Sequence, residues 1–352
     1  MKNIAEIPSK TKNPVQNNNG KGHNKKFTAP RIPVIKFGRE RGNEHYTPWL
    51  TVRANYGDFG NRPLPAGTVF WESPDVWVQS SAGINQPVVG ENNQVFARIS
   101  NYGQQNASGV MVKFWWANPS MAITESTAHL IGIGYTDVPS GWSVNVQCPV
   151  PWVPVIENGG HECLIAEAFI PTFDPLTAPM DPLDDRHVGQ KNEQLIMLQQ
   201  GQSFITRVRA VNITAHTQEL RFDIHQLHQT EIHPLLKLRA ANLPDMLVPS
   251  TKKLQMGLDF DKAPSGFIKP AVLFTERLLL RGIHKIEEWL EKALEHSHVS
   301  HTARFEPWES RTLEISGKVP DDAEPGQTFL FRATQRIGNM VTGGYTVHVV
   351  VV

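Results

Sequence analysis

Cysteine, net charge and long apolar runs are what this chain lacks. Only 2 of its 352 residues are cysteine, and 34 basic side chains balance 34 acidic ones. No apolar run approaches the roughly 18 residues that a membrane-spanning helix needs. Two cysteines, Cys148 and Cys163, exclude a disulfide framework. Each is expected to be a buried thiol, although pairing across the short segment between them stays open. Neutrality excludes a generic nucleic-acid binder, whose affinity comes from phosphate neutralisation. The first residues, Met1-Lys2-Asn3-Ile4-Ala5-Glu6, hold neither the apolar core nor the small-residue cleavage site of a secretory signal. The expectation is therefore a cytoplasmic protein or one exported by a non-classical route.

Catalytic and cofactor signatures are equally scarce. There is no nucleophile elbow, no phosphate-cradling loop and no zinc-binding His-Glu-x-x-His helix. Gly132-Ile133-Gly134 lacks the third glycine and the following helix of a dinucleotide fingerprint. Strand alternation would place His161 and Cys163 on one face, a thiol–imidazole pair with no recognisable oxyanion donors beside it.

What is present is punctuation and alternation. Glycine and proline number 26 each, which suits a turn-rich protein, and the length suits two domains. Residues 1–65 read as a basic, largely disordered arm and lead-in. Seven lysines and five arginines there face four acids, about +8 against about −8 for the body. From residue 66 short alternating segments recur: Asp75–Val78, Gln94–Ile99, Gly109–Trp116, Ser143–Cys148 and His161–Phe169. Further ones lie at Phe204–Val211, Leu220–His225, Arg311–Ile315, Thr328–Gln335 and Gly344–Val352, with Gly, Pro and Asn between them. This spacing predicts antiparallel sandwiches rather than βαβ units. Neighbours on one strand, Trp115 and Trp116 must point to opposite faces, and Trp142 and Trp152 are expected to close the sandwich ends. The prediction is an all-β protein with two tandem domains, 66–200 and 201–352.

One helix interrupts the pattern, about residues 270–295. Phe274, Leu278, Ile283, Ile286, Leu290 and Leu294 form one stripe with Trp289 at its edge. At 1.5 Å per residue it would run about 39 Å, more than one sandwich needs. Phe274, Leu278, Ile283, Ile286, Trp289 and Leu290 are therefore the candidate interaction surface for a protein partner or for self-association.

Residues Trp71 to about Leu198 resemble the cell-adhesion-related bacterial, CARDB-type, immunoglobulin-like domain. The resemblance rests on Ser73-Pro74-Asp75-Val76-Trp77-Val78, on Gly90–Gly103 with its Asn101-Tyr102-Gly103 turn, on Val112–Ala117, Trp152-Val153-Pro154 and Gly160–Ala166, and on the closing Asp184–Asn192. The last departs from the family, with Asp184-Asp185 where paired Asn is usual. A more remote resemblance marks 202–352 as a second immunoglobulin-like domain, through Glu324-Pro325-Gly326-Gln327 and Gly343-Gly344-Tyr345-Thr346. The resemblance implies fold, not catalysis.

Three side-chain clusters could carry chemistry. His225, His228 and His233, and again His296, His298 and His301, have the spacing of transition-metal ligands; the second set would equally complement a helix C-terminus. Asp174, Asp181, Asp184 and Asp185 offer the oxygens that calcium prefers, or else cap local backbone N–H groups. No cofactor is expected, with calcium the one left open. The leading reading is a non-enzymatic binding or structural protein acting through protein–protein contacts. A secreted effector or toxin component, or a metal-dependent hydrolase using a histidine cluster, are the alternatives.

Overall fold

A computed structural model describes residues 47–118, 120–154, 163–229, 231–232, 247–260 and 298–352. The basic arm up to residue 46, the helix at 270–295, and His161, His233 and His296 lie outside the described residues.

The first half of the chain supplies β1 (Leu50–Thr51), β2 (Val76–Ser80), β3 (Gly83–Ile84), β4 (Gln94–Asn101), β5 (Ala107–Ala117), β6 (Ala128–Val138), β7 (Ser143–Gln147), β8 (Cys163–Phe169) and β9 (Val188–Lys191). In one sheet β4 pairs with β1, β2 and β7, and β3 folds back on β2; the other has the order β6-β5-β8-β9. All these pairings are antiparallel. Alternation decides which side chains enter the space between the sheets. Val95, Ala97 and Ile99 of β4 meet Val110, Val112 and Phe114 of β5 in one core.

The second half supplies β10 (Glu193–Leu198), β11 (Ser203–Val211), β12 (Gln218–Gln226), β13 (Val248–Pro249), β14 (Gln255–Phe260), β15 (His298–Phe305), β16 (Ser310–Lys318), β17 (Gln327–Ile337) and β18 (Met340–Val351). A six-stranded sheet, β10-β18-β17-β12-β15 with β13 on β17, faces the three-stranded β11-β16-β14. Only β10–β18 and β13–β17 run parallel. Phe222, Phe305, Phe329, Phe331 and Tyr345 fill the core between these sheets. The described chain is thus nearly all β, as the alternation predicts. Among the described residues no helix is long and apolar enough to cross a membrane.

Two predicted boundaries move. Leu50, Val52 and Ala54 are fully buried, and Asp58 accepts the Ala54 N–H at 2.8 Å while holding Arg62. The stretch up to residue 65 therefore belongs to the first sandwich from β1 onward. At the other end, β10 lies before residue 200 yet pairs with β18, so the second sandwich begins just after Asn192.

Trp115 and Trp116 do diverge, but both faces of β5 are covered. Trp116 packs against the main core. Trp115 packs on the outer face with Ile165, Met180 and Leu176 and donates its indole N–H to the buried Glu167 carboxylate at 3.0 Å. The segment between β8 and β9 forms this extra layer. Trp152 is buried as expected, but Trp142 is 69% exposed. Its carbonyl accepts the Asn101 N–H at the Gly141 turn, so the backbone rather than the ring closes that end. Cys148 and Cys163 are both buried and unpaired with each other.

All described residues fall in one compact unit, and the reason is the seam between the sandwiches. Glu72, almost fully buried, accepts two hydrogen bonds from Arg332 of β17 (2.7 and 2.9 Å) and one from Thr346 of β18 (2.5 Å). Trp71 donates to the same Thr346 hydroxyl at 3.0 Å. Asn192 donates through Nδ2 to the carbonyls of Ser120 (2.9 Å) and Gly344 (2.7 Å). From the β5–β6 loop, Met121 enters the core of the second sandwich. Gly343 and Gly344 make this approach possible. A Cβ on Gly343 would lie 1.1 Å from the Met121 carbonyl oxygen, and one on Gly344 would lie 2.1 Å from the Trp71 ring.

Candidate functional site

The aspartate group turns its oxygens toward donors within the protein. Asp185 accepts the N–H of Thr177 (2.6 Å), Ala178 (2.9 Å) and His187 (2.9 Å), the Thr177 hydroxyl (2.9 Å) and His187 Nδ1 (2.6 Å). Burial opposes its charge, yet the His187 ring and these N–H groups hold its carboxyl well below the ordinary range. Asp174 accepts the Leu50 N–H at 2.7 Å and is bound by Arg186, whose guanidinium stacks on Trp49. His187 Nε2 lies 3.2 Å from Asp174 Oδ1, within ion-pair range but off the line of a hydrogen bond. Asp181 caps the N–H groups of Leu183 and Asp184, and Asp184 is exposed. The group is thus a set of turn caps and ion pairs that pins β1 to the β8–β9 segment. Removing the two outer carboxylates separates cap from bystander. Asp181→Ala is expected to cost about 1 kcal/mol in urea denaturation, and Asp184→Ala to stay within about 0.5 kcal/mol.

The histidines are distributed by strand geometry. His225 of β12 faces His298 of β15 directly across the antiparallel pair, so the two sets do meet at one point. His301 is three residues on, an odd step that carries it to the opposite face, where its ring lies 5.2 Å from that of Phe260. His298 Nε2 sits 3.6 Å from Asp223, which also binds Arg221 and Ser300. Burial, and then the Arg332 charge, lower the pKa of His225. His228 belongs to the turn after β12, its N–H held by Glu231 at 2.9 Å. Among the described residues no three His, Cys, Asp or Glu side chains converge on a metal-sized point. The helix stripe Phe274–Leu290 lies outside the described residues.

Two surface features escaped the sequence reading. The first is β6, the end strand of its sheet, which among the described residues pairs only with β5. It has no lysine, arginine or proline to blunt its free edge. A bulge between Gly132 and Leu130 shifts the register, so that Leu130, Ile133 and Tyr135 stand opposite Trp115, Lys113 and Met111. Leu130 is 48% and Tyr135 65% exposed.

The second is a cleft of about 270 Å³ on the seam. Asn118, Ser126, Thr127 and His129 line it from the first sandwich, and Arg209, Trp308 and Ser310 from the second. The His129 ring stacks on Trp116, with centroids 4.4 Å apart. Trp308 is 64% exposed and held at a φ of 62°, a conformation that bulky residues rarely adopt. Asn118 Oδ1 is buried with no hydrogen-bond partner. No local pattern links residues 118–129 to 209 and 308; only the seam brings them together.

No family model matches the chain, and no curated protein matches it. Among solved structures, it is similar to a family 123 glycoside hydrolase from Clostridium perfringens at 9% identity, over 46% of this chain and 23% of that one, with a TM-score of 0.26. Red sea bream transglutaminase is similar at 10% identity, over 79% of this chain and 31% of that one, with a TM-score of 0.20. The Enterococcus faecalis MSCRAMM ACE is similar at 8% identity, over 75% of this chain and 91% of that one, with a TM-score of 0.21. The chain spans less than a third of the hydrolase and of the transglutaminase. At these scores no activity passes from any of them to this chain.

Proposed function

We propose that the chain is a non-enzymatic binding protein that takes an extended segment of a partner protein onto the edge of β6. Its two sandwiches are of immunoglobulin-like type, the first of the cell-adhesion-related bacterial kind. For that type the support is the placement of the quoted motifs, with Ser73–Val78 leading into β2, Gly90–Gly103 carrying β4 and its turn, and Val112–Ala117 in β5. The observation that carries the function is the combination on β6 of a backbone edge unpaired among the described residues with exposed Leu130 and Tyr135. Strand addition draws affinity from main-chain hydrogen bonds and specificity from alternate side chains. Buried ionisable groups elsewhere, Glu72, Glu167, Asp174 and Asp185, are engaged in holding the fold.

The test is the double substitution Leu130→Lys and Tyr135→Lys, which places charge on the exposed edge. Stability is expected to change by about 0.5 kcal/mol or less, as for ordinary surface positions. A partner cross-linked to β6 in the wild-type protein, located by peptide mapping, is expected to be lost. Retention of the same cross-link by the folded variant would overturn the proposal.

A further inference from the structure

We infer that the seam cleft binds an acidic saccharide, with the carboxylate of a uronic-acid-type sugar on Arg209 and the sugar ring against Trp308. The cleft meets β6 only at His129, near the start of that strand, and does not depend on the partner proposed for the strand's edge. Neighbouring arginines of the second sandwich have acids: Arg207 has Glu314 at 2.6 Å, Arg311 has Glu309 at 2.8 Å, and Arg304 has Glu306 at 3.7 Å. Among the described residues Arg209 makes no ion pair, and its guanidinium has one partner, the Ser310 hydroxyl at 2.7 Å. A half-buried guanidinium without a carboxylate, lining a concave site, is matched by a ligand carboxylate that can take two parallel N–H donors.

The rest of the lining narrows the ligand. Asn118 adds a carboxamide to the lining, a group that both donates and accepts. Ser126 and Thr127 add hydroxyl oxygens that are bonded to Thr124 and keep a lone pair to accept from a sugar hydroxyl. Trp308 presents a broad apolar face, and its positive φ fixes the ring against backbone preference. Strained non-glycine residues of this kind cluster at ligand sites. A volume of about 270 Å³ stands just under the range of roughly 300–1,000 Å³ for drug-sized pockets, which suits one or two sugar rings. Carboxylate, several hydroxyls and an apolar ring face within that size together describe an acidic sugar. An acidic peptide would satisfy Arg209 but leave the hydroxyl-rich wall and the indole face less well used.

The experiment uses the full chain, a trisaccharide ending in glucuronic acid and its neutral glucose-ended counterpart, followed by tryptophan fluorescence and saturation-transfer NMR. The acidic sugar is expected to bind at least about tenfold more tightly than the neutral one. Arg209→Gln should abolish that preference. Trp308→Asn should weaken binding of both sugars while leaving the melting temperature unchanged or raised, because asparagine tolerates positive φ. No binding of the acidic sugar up to about 10 mM, equal binding of both sugars, or an unchanged preference in Arg209→Gln would overturn the inference. Tighter binding of an acetylated Asp-Glu peptide than of the acidic sugar would also overturn it.

Discussion

Alanine at Gly343 is expected to cost at least about 3 kcal/mol, above the usual range for overpacking. The added methyl would lie 1.1 Å from the Met121 carbonyl oxygen, and a backbone atom cannot rotate out of the way as a side chain can. Relief requires the β5–β6 loop to withdraw, which takes Met121 out of the second core and breaks the Met121 N–H bond to Arg209. Gly344→Ala presses instead on the Trp71 side chain at 2.1 to 2.4 Å, and a side chain can be replaced. The double variant Gly344→Ala with Trp71→Leu should therefore recover part of the loss of Gly344→Ala, whereas no change at Met121 should rescue Gly343→Ala, because the clash there is with backbone. Guanidinium unfolding monitored by tryptophan fluorescence reads both. A single transition in the wild type should become two in Gly343→Ala as the sandwiches uncouple. If Gly343→Ala unfolds as one transition with wild-type stability, the seam is not what joins the halves.

The strands were legible because one face of each is core, and burial on one face leaves a period of two in the residues. β4, β5, β11 and β12 show that period directly. The boundaries were less legible for a physical reason. β1 holds only Leu50 and Thr51, too short to show a period, and its burial depends on Asp174 and Arg186 more than a hundred residues away. β10 reads as the natural end of the first domain, yet its partner is the last strand of the chain. Such a pairing leaves no local mark. β18 is buried at every position from Val341 to Val351, since Glu72 and Trp71 cover the outer side of Thr346.

The same distinction governs the sites. Asp174, Asp181, Asp184 and Asp185 stand out as a cluster, but the sequence left open whether oxygens or N–H groups would meet them. Their order around Thr177, Ala178 and His187 is set by the turn between β8 and β9. Arg209 reads as one of several alternating polar residues on β11, and its lack of an acid appears only when the neighbouring ion pairs are placed. Gly343-Gly344 was visible as a motif. Its role was not, because what the two glycines admit, Met121 and Trp71, comes from the other sandwich.

His187→Gln is expected to destabilise the protein by about 3 kcal/mol near pH 6, at the low end for breaking a buried ion pair, and by much less at alkaline pH. The ring is almost fully buried between Asp185 and Asp174. Burial alone would lower its pKa, but the two carboxylates outweigh it and raise the value above the ordinary one. A raised pKa means that the folded state holds the proton more tightly, so the contribution is complete below the unfolded value of about 6.5. It is then lost as pH rises through the higher folded value. Asp185 behaves oppositely: its lowered pKa contributes fully above about 4 and is lost as pH falls through the folded value. The cluster is therefore most stabilising between about pH 4 and 6.5. Urea denaturation of the wild type and His187→Gln at intervals from pH 5 to 9 measures the difference, which should shrink steadily on the alkaline side. A difference that stays flat across that range would mean that His187 is neutral in the native state. In that case Arg186 alone would neutralise Asp174, and the N–H groups of Thr177 and Ala178 would carry Asp185.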